Sequence, residues 1–236
     1  MSPDWLSEVE DLQALEAMRR YYRWKGDLVR PHAGSRPIEV GCGTGSVLAE
    51  LRGVERAVGI DRDAPCVAAA QARFAGRSEV SVQVSDVTAP EFLSLASIHP
   101  TSVLFVSSLE EIADTPLAVR QAAAVLEPKG RVVVFVSALP WISGTLDRVY
   151  GQRRWGKAEL KALLVNAGLR IVESRYVNLL GALAWIWDSA IVRRTSTPSG
   201  SYGRRDRIVP VARFLDAVTG PPLGRSLFVA AEKPGP

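Results

Sequence analysis

Cysteine and histidine are close to absent from this chain, with two of each in 236 residues. Cys42 and Cys66 form no C-x-x-C pair and sit at no metal-ligand spacing, so a disulfide scaffold and a zinc site are both excluded. They read as small apolar fillers in a reducing setting. His32 is expected in a loop before the first strand and His99 in a turn before the fourth, and no motif places either one. Long apolar runs are missing too. No 18 uncharged apolar residues occur in succession, and the nearest candidate, Val177 to Val192, is short and broken by Asp188, so no spanning helix is expected. The opening Met1-Ser2-Pro3-Asp4-Trp5 has no basic stretch leading into an apolar run, which predicts no secretory signal and a cytoplasmic location. Charge of one sign is also scarce. A formal net charge of +4 does not point to nucleic acid as a partner.

What is present is a core. Hydrophobic residues make up 47% of the chain, enough for one α/β domain with an insertion and too few residues for two large domains. The organising stretch is Ile38-Glu39-Val40-Gly41-Cys42-Gly43-Thr44-Gly45, the end of a buried strand followed by a glycine turn. Glycine admits tight-turn dihedrals and lets a ligand lie against bare backbone, and the carboxyl end of the first strand is where ligands sit in an open α/β sheet. A dinucleotide-binding turn, G-x-G-x-x-G, would put glycine at position 46, where Ser46 stands. Glu39 is the second departure. Its carboxylate would repel a pyrophosphate and attract a ligand carrying an ammonium group.

Leu6 to Arg30 carries apolar residues at a helical period and predicts one or two helices. A helix is expected over Ser46–Leu51. Ala57-Val58-Gly59-Ile60 predicts a second strand ending at Asp61, twenty residues past Gly41, where a carboxylate can accept from both hydroxyls of a ribose. Pro65–Phe74 reads as a helix, and Val80–Val84 as a third strand closed by Asp86, which can serve as a turn cap or accept from an exocyclic amine. Strands follow at 102–106, 131–137, 169–177 and 226–231, with helices over 117–126 and 157–167. The near-continuous apolar strands imply burial on both faces and a doubly wound, mostly parallel seven-stranded sheet.

Residues 178–224 interrupt this alternation with an apolar, tryptophan-bearing piece, a Gly/Ser-rich connector and a second amphipathic piece. Six arginines and one acid lie between 193 and 213. This reads as a helical cap over the substrate side. Trp185 and Trp187 either line a pocket or pack on the core, and peripheral contact with anionic lipid is a third reading.

With the two acids and the sheet pattern in place, the run Glu39–Gly45, Asp61, Asp86, Leu109-Glu110 and Leu126-Glu127-Pro128-Lys129-Gly130-Arg131 resembles the class I S-adenosylmethionine-dependent methyltransferases, in particular the ubiquinone-biosynthesis-like "type 11" small-molecule enzymes. The segments Leu146-Asp147-Arg148, Arg153-Arg154-Trp155, Asn178-Leu179-Leu180-Gly181 and Pro221-Pro222-Leu223-Gly224 extend the likeness. It implies one domain: an N-terminal helical segment (1–33), a cofactor-binding core (34–177), the cap (178–224), and a last strand with its tail (225–236). The implied cofactor is S-adenosylmethionine, with S-adenosylhomocysteine as product. Glu39, Gly41, Gly43 and Gly45 would meet its methionine part, Asp61 its ribose, and Arg62, Asp86 and Val87 its adenine. Ser107 would lie beside the sulfonium, and Tyr21 with Trp24 would close the site.

The branch commonly has histidine where this chain has Glu111 and Gln152, so base catalysis passes to other candidates, Glu111 and Asp147 first, with Glu110 and Tyr150 behind them. The expected activity is methyl transfer to oxygen or nitrogen of a small acceptor of the secondary-metabolite kind. The rivals are a cofactor-binding cyclase or isomerase and a non-catalytic binding module, and the chain is expected as a monomer or homodimer.

Overall fold

A computed structural model of the chain describes residues 17–142, 147, 153–188 and 202–235. Residues 1–16, together with Leu146, Arg148, Tyr150, Gln152, Arg193 and Arg194, lie outside the described residues.

Helix α1 (Arg19–Ala33) leads into β1 (Pro37–Val40), and β2 (Ala57–Asp61), α2 (Ala64–Arg73) and β3 (Val80–Val84) follow. Next come β4 (Ser102–Val106), α3 (Thr115–Val125), β5 (Arg131–Ser137), α4 (Lys157–Asn166) and β6 (Arg170–Val177). The insertion forms α5 (Leu179–Ile186) and α6 (Tyr202–Thr219), and β7 (Ser226–Glu232) ends the sheet. The local signals are the expected ones. Asp63 accepts from the Cys66 amide at 3.0 Å and Asp114 from the Leu117 amide at 2.9 Å, each capping a helix with proline in its first turn. Gly168, at φ +81°, follows the end of α4.

The strands lie in the order β3-β2-β1-β4-β5-β7-β6, parallel except for β7, which runs antiparallel to both neighbours. Alternate residues of β4 and β5 feed two cores. Val103, Phe105, Val132 and Val134 face α3 and α4, while Leu104, Val106, Val133 and Phe135 face α1, with Trp24 and Val29 packed on them. Burial of the two central strands on both faces accounts for their unbroken apolar sequence.

One expectation needs correction. Residues Ser46–Leu51 are not a continuous helix: a turn runs to Val47, and a single 3₁₀ turn, Leu48–Glu50, follows. Leu48 and Leu51 are both fully buried and three apart, the spacing of a three-residue turn rather than of an α-helix face. The segment also lies hard against α1, where a Cβ on Gly26 would come 2.4 Å from Glu50 Cβ. A nine-residue 3₁₀ stretch, Pro90–Ile98, joins β3 to β4, a segment for which the sequence carried no assignment.

Candidate functional site

The carboxyl ends of β1, β2 and β4 meet at one edge of the sheet, and the glycine turn rises from it. Gly41, Gly43 and Gly45 all adopt left-handed backbone, at φ 67°, 52° and 79°. At Gly41 and Gly45 space is as decisive as dihedral. An added Cβ would stand 2.4 Å from Ser108 Cβ at the first and 2.5 Å from the Phe74 ring at the second. Ser108 Oγ donates to the Val40 carbonyl at 2.6 Å, fastening the end of β4 to the start of the turn.

Glu39 lies beneath this turn, 2% exposed. Burial raises its carboxyl from 4.5 to about 8, opposed by the positive charge of Lys25 and a hydrogen bond from the Leu48 backbone, with the negative Asp61 adding to the rise. Its Oε2 is buried and accepts no hydrogen bond among the described residues. An unpaired buried carboxylate oxygen is costly in a folded protein, and it marks a place built for a donor from a ligand. The neighbouring Cys42 thiol is pushed upward by burial and by the charges of Glu39 and Asp61, which leaves it inert, in keeping with a filler role.

Asp61 ends β2 as expected. Its Oδ2 accepts from the Gly43 amide at 2.7 Å and its Oδ1 from the Asp63 amide at 3.0 Å, so it also ties the glycine turn to the second strand. Each oxygen retains a further lone pair. Asp86 Oδ1 accepts from the Thr88 amide at 2.8 Å and the Thr88 hydroxyl at 2.7 Å. Partial burial would raise this carboxyl, but those bonds and the nearby Arg62 hold it below its ordinary value. Asp86 is thus a turn cap whatever else it does. The Val87 side chain is buried in the core, leaving its backbone for any ligand, and Arg62 is exposed.

Above β4 and β5 lies α1, and it brings in a residue that the sequence reading passed over. Lys25 is only 7% exposed, and its Nζ donates to Ser107 Oγ at 3.0 Å. Its ammonium stands 4.9 Å from the Tyr21 ring centroid, 5.1 Å from Tyr22 and 5.5 Å from Phe135. Ser107 itself has φ +61°, a strained value for a serine at the end of a strand. A lysine one turn beyond Tyr21, in a run of aromatics, was the available signal. Nothing local says that this face of the helix turns toward the strand ends.

Glu110 follows in the 3₁₀ turn after β4. Its Oε1 accepts from the Ser137 amide at 2.7 Å, while Oε2 is buried without a partner, and burial raises its carboxyl. Glu111 reaches solvent, yet the surrounding walls raise its carboxyl, as does the Asp61 charge, against the pull of Arg62. Asp147 is placed differently from the open carboxylate expected of a base. It is 2% exposed, pairs with Arg154 Nε at 2.9 Å, and takes a 3.3 Å hydrogen bond from Trp185 Nε1. Its carboxylate is engaged by Arg154 and Trp185, which suits a structural role better than that of an open base. Trp185 is buried in this cluster, while Trp187 is exposed.

Neither histidine approaches the strand ends that carry these acids. His32 lies between Glu173 and Arg131 and His99 beside Glu127, at the opposite edge of the sheet. A cavity of about 600 Å³ lies between α1, α6 and β6, lined in part by Trp24, Asp27, Tyr176 and Arg213, and takes in none of the acids above. Among the described residues no group of His, Cys, Asp and Glu is placed to hold a metal, and no helix is long and apolar enough to cross a membrane.

A 31% identical relative, an uncharacterized 37.1 kDa protein in transposon TN4556 of Streptomyces fradiae, aligns over 151 residues, 61% of this chain. The aligned region spans 42% of that protein, about two fifths of its length. Among solved structures, the [4+2]-cyclase SpnF superposes with a TM-score of 0.63 at 22% identity, over 91% of this chain and 81% of its own. Geranyl diphosphate C-methyltransferase from Streptomyces coelicolor A3(2), in complex with Mg²⁺, geranyl diphosphate and S-adenosyl-L-homocysteine, gives 0.61 at 14% identity, over 89% and 77%. At these identities the likeness is one of fold. The family model described as a methyltransferase domain, type 11, matches residues 38–134, the stretch from β1 into β5 that holds the glycine turn, Asp61 and Asp86. That stretch matches the methyltransferase-domain family, and the seven-stranded sheet as a whole has the Rossmann-like fold of class I S-adenosylmethionine-dependent methyltransferases.

Proposed function

We propose that the protein binds S-adenosylmethionine at the carboxyl edge of β1, β2 and β4 and transfers its methyl group to an oxygen or nitrogen of a small-molecule acceptor. The observation that carries this reading is Glu39, buried under three left-handed glycines with one carboxylate oxygen left without a partner. The cofactor supplies an electrophilic methyl group on a positively charged sulfur. Glu39 would take its ammonium, the backbone of Gly41, Gly43 and Gly45 its methionine chain, and Asp61 its ribose hydroxyls. Arg62, Asp86 and the Val87 backbone would border the adenine, Ser107 would lie near the sulfur, and Tyr21 would close the cleft from above.

For an in-line displacement the protein's main work is alignment, worth ~7–11 kcal/mol of barrier when the geometry is held. Glu111 is the carboxylate at the mouth. Its upward shift moves it toward the range in which it can accept a proton from a hydroxyl or ammonium acceptor, a contribution of roughly 10²–10⁴ in rate.

Calorimetry with S-adenosylmethionine and S-adenosylhomocysteine is the first test, expected to give saturable binding that Asp61→Ala weakens severely. Labelled cofactor with a panel of phenols, carboxylic acids and amines then reads out transfer by product mass. A product heavier by one methyl group supports transfer, an isomer of unchanged mass points to cyclisation, and no binding at all overturns the reading.

A further inference from the structure

Helix α6 carries apolar residues on both of its sides. Val209 and Ala212 are buried in the core that includes Trp24 and Val29. Ile208, Val211, Phe214 and Val218 are instead each more than half exposed, Val218 to 68%. Their spacing of three or four residues puts them on one face of the helix, a stripe about three turns long. Single exposed apolar residues are ordinary, whereas a contiguous stripe marks a surface that meets something apolar.

Charge is divided between the two sides as well. Both acids of α6 turn inward. Asp206 accepts from the Arg20 and Tyr21 amides, and Asp216 from the Asn178 and Leu179 amides. Arg207 is exposed next to Ile208. Residues 193–205 lead into this face with four arginines and no acid, and one of the four, Arg205, pairs with Asp188. Two copies of a face that is apolar and positively charged do not complement one another, which disfavours self-association through it. The headgroup boundary of a bilayer containing acidic lipid does complement it, apolar within and negative at its surface.

We infer that the outer face of α6 docks on anionic lipid, the helix lying in the plane of the bilayer surface with Phe214 and Val218 toward the acyl chains and Arg207 at the headgroups. The lipid contact read from the composition of the insertion thereby gains a definite surface, and that surface does not include Trp185, which is buried. None of the stripe side chains belongs to the strand-end site, so the inference stands apart from the cofactor reading.

The test is co-sedimentation of the full chain with vesicles of phosphatidylcholine alone or of phosphatidylcholine mixed with phosphatidylglycerol. Binding should be at least about tenfold stronger to the mixed vesicles and should weaken as salt is raised. Phe214→Ser combined with Val218→Ser should cost at least about tenfold, and Arg207→Gln about fivefold. Val165→Ser removes a comparably exposed apolar side chain from α4 and should change nothing. All of these positions are exposed, so each variant should melt with wild type, and Arg207→Gln probes the same face without altering its apolar side chains. A wild type that ignores the mixed vesicles, that binds neutral vesicles equally well, or that keeps its affinity in the Phe214/Val218 variant overturns the inference. So does a dimer in sedimentation equilibrium that the same double variant dissolves, because a second copy is then the occupant.

Discussion

Glu39 is a carboxylic acid through much of the neutral range in the ligand-free protein, even with Lys25 nearby, and that has a measurable cost. Its folded-state value of about 8 stands above the ordinary 4.5 of the unfolded chain. Between those values the folded protein holds a proton that the unfolded chain has released, so stability falls as pH rises, by up to about 1.4 kcal/mol per pH unit. Lys25 on α1, Asp61 on β2, the Cys42 thiol in the turn and Glu110 after β4 all face this neighbourhood. Glu110 is raised by burial as well and adds a slope of the same sign. Thermal denaturation of the ligand-free protein should therefore show a melting temperature that declines between about pH 5 and pH 8. Glu39→Gln should flatten much of that decline. A melting temperature that climbs through the same window would contradict the burial argument.

Helix α1 reaches the cleft because a distant element holds its start. Asp206 on α6 is buried and accepts from the backbone amides of Arg20 and Tyr21, at 3.1 and 3.0 Å. These are unpaired donors of the first helical turn, for which a carboxylate is the favoured partner. Arg213 on the same helix pairs with Asp27 further along α1. Asp206→Ala should loosen the segment that carries Tyr21 and Lys25, by about 1–2 kcal/mol of local stability. Hydrogen exchange should then quicken at the amides of residues 19–26 and not in β4 or β5, with weaker cofactor binding alongside.

This pairing also shows where sequence reading stops. The strands, the three glycines and the acids at the tips of β2 and β3 were legible because each rests on a local rule: alternation, a φ that only glycine takes easily, a carboxylate closing a strand. Lys25 and Asp206 were not, because their meaning comes from contacts spanning 82 and 185 residues. The 3₁₀ turn at Leu48–Glu50 was misread for a related reason. Its apolar residues suit either helix type, and the closeness of α1 at Gly26 decides between them.

Across the whole molecule, the strand order gathers the functional acids at one edge and leaves the antiparallel β7–β6 end to the inserted helices. The joint between core and insertion is apolar where Ala182, Trp185, Val209 and Ala212 pack into the two cores, and it also carries an ionic cluster. Trp185 of α5 lies between two arginines, with Arg154 Cζ 4.8 Å and Arg225 Cζ 4.5 Å from its ring centroid, and Asp147 takes both Arg154 and the indole N–H. Arg225 is half-buried, and desolvation pulls its guanidinium value down. Asp147 thus supplies negative charge to a cluster that is otherwise cationic. Its removal should act on the fold rather than on the chemistry. Leaving Arg154 buried and unpaired costs about 3–5 kcal/mol, or roughly 6–20 °C in melting temperature for a domain of this size. Asp147→Ala should lower the melting temperature by that order, and Asp147→Leu combined with Arg154→Met should recover most of it, since no buried charge is then stranded. At a temperature where the single variant is folded, its cofactor affinity and the pH dependence of turnover should match wild type. A variant of unchanged stability whose turnover loses its pH dependence would instead return Asp147 to the chemistry and make Glu111 the bystander.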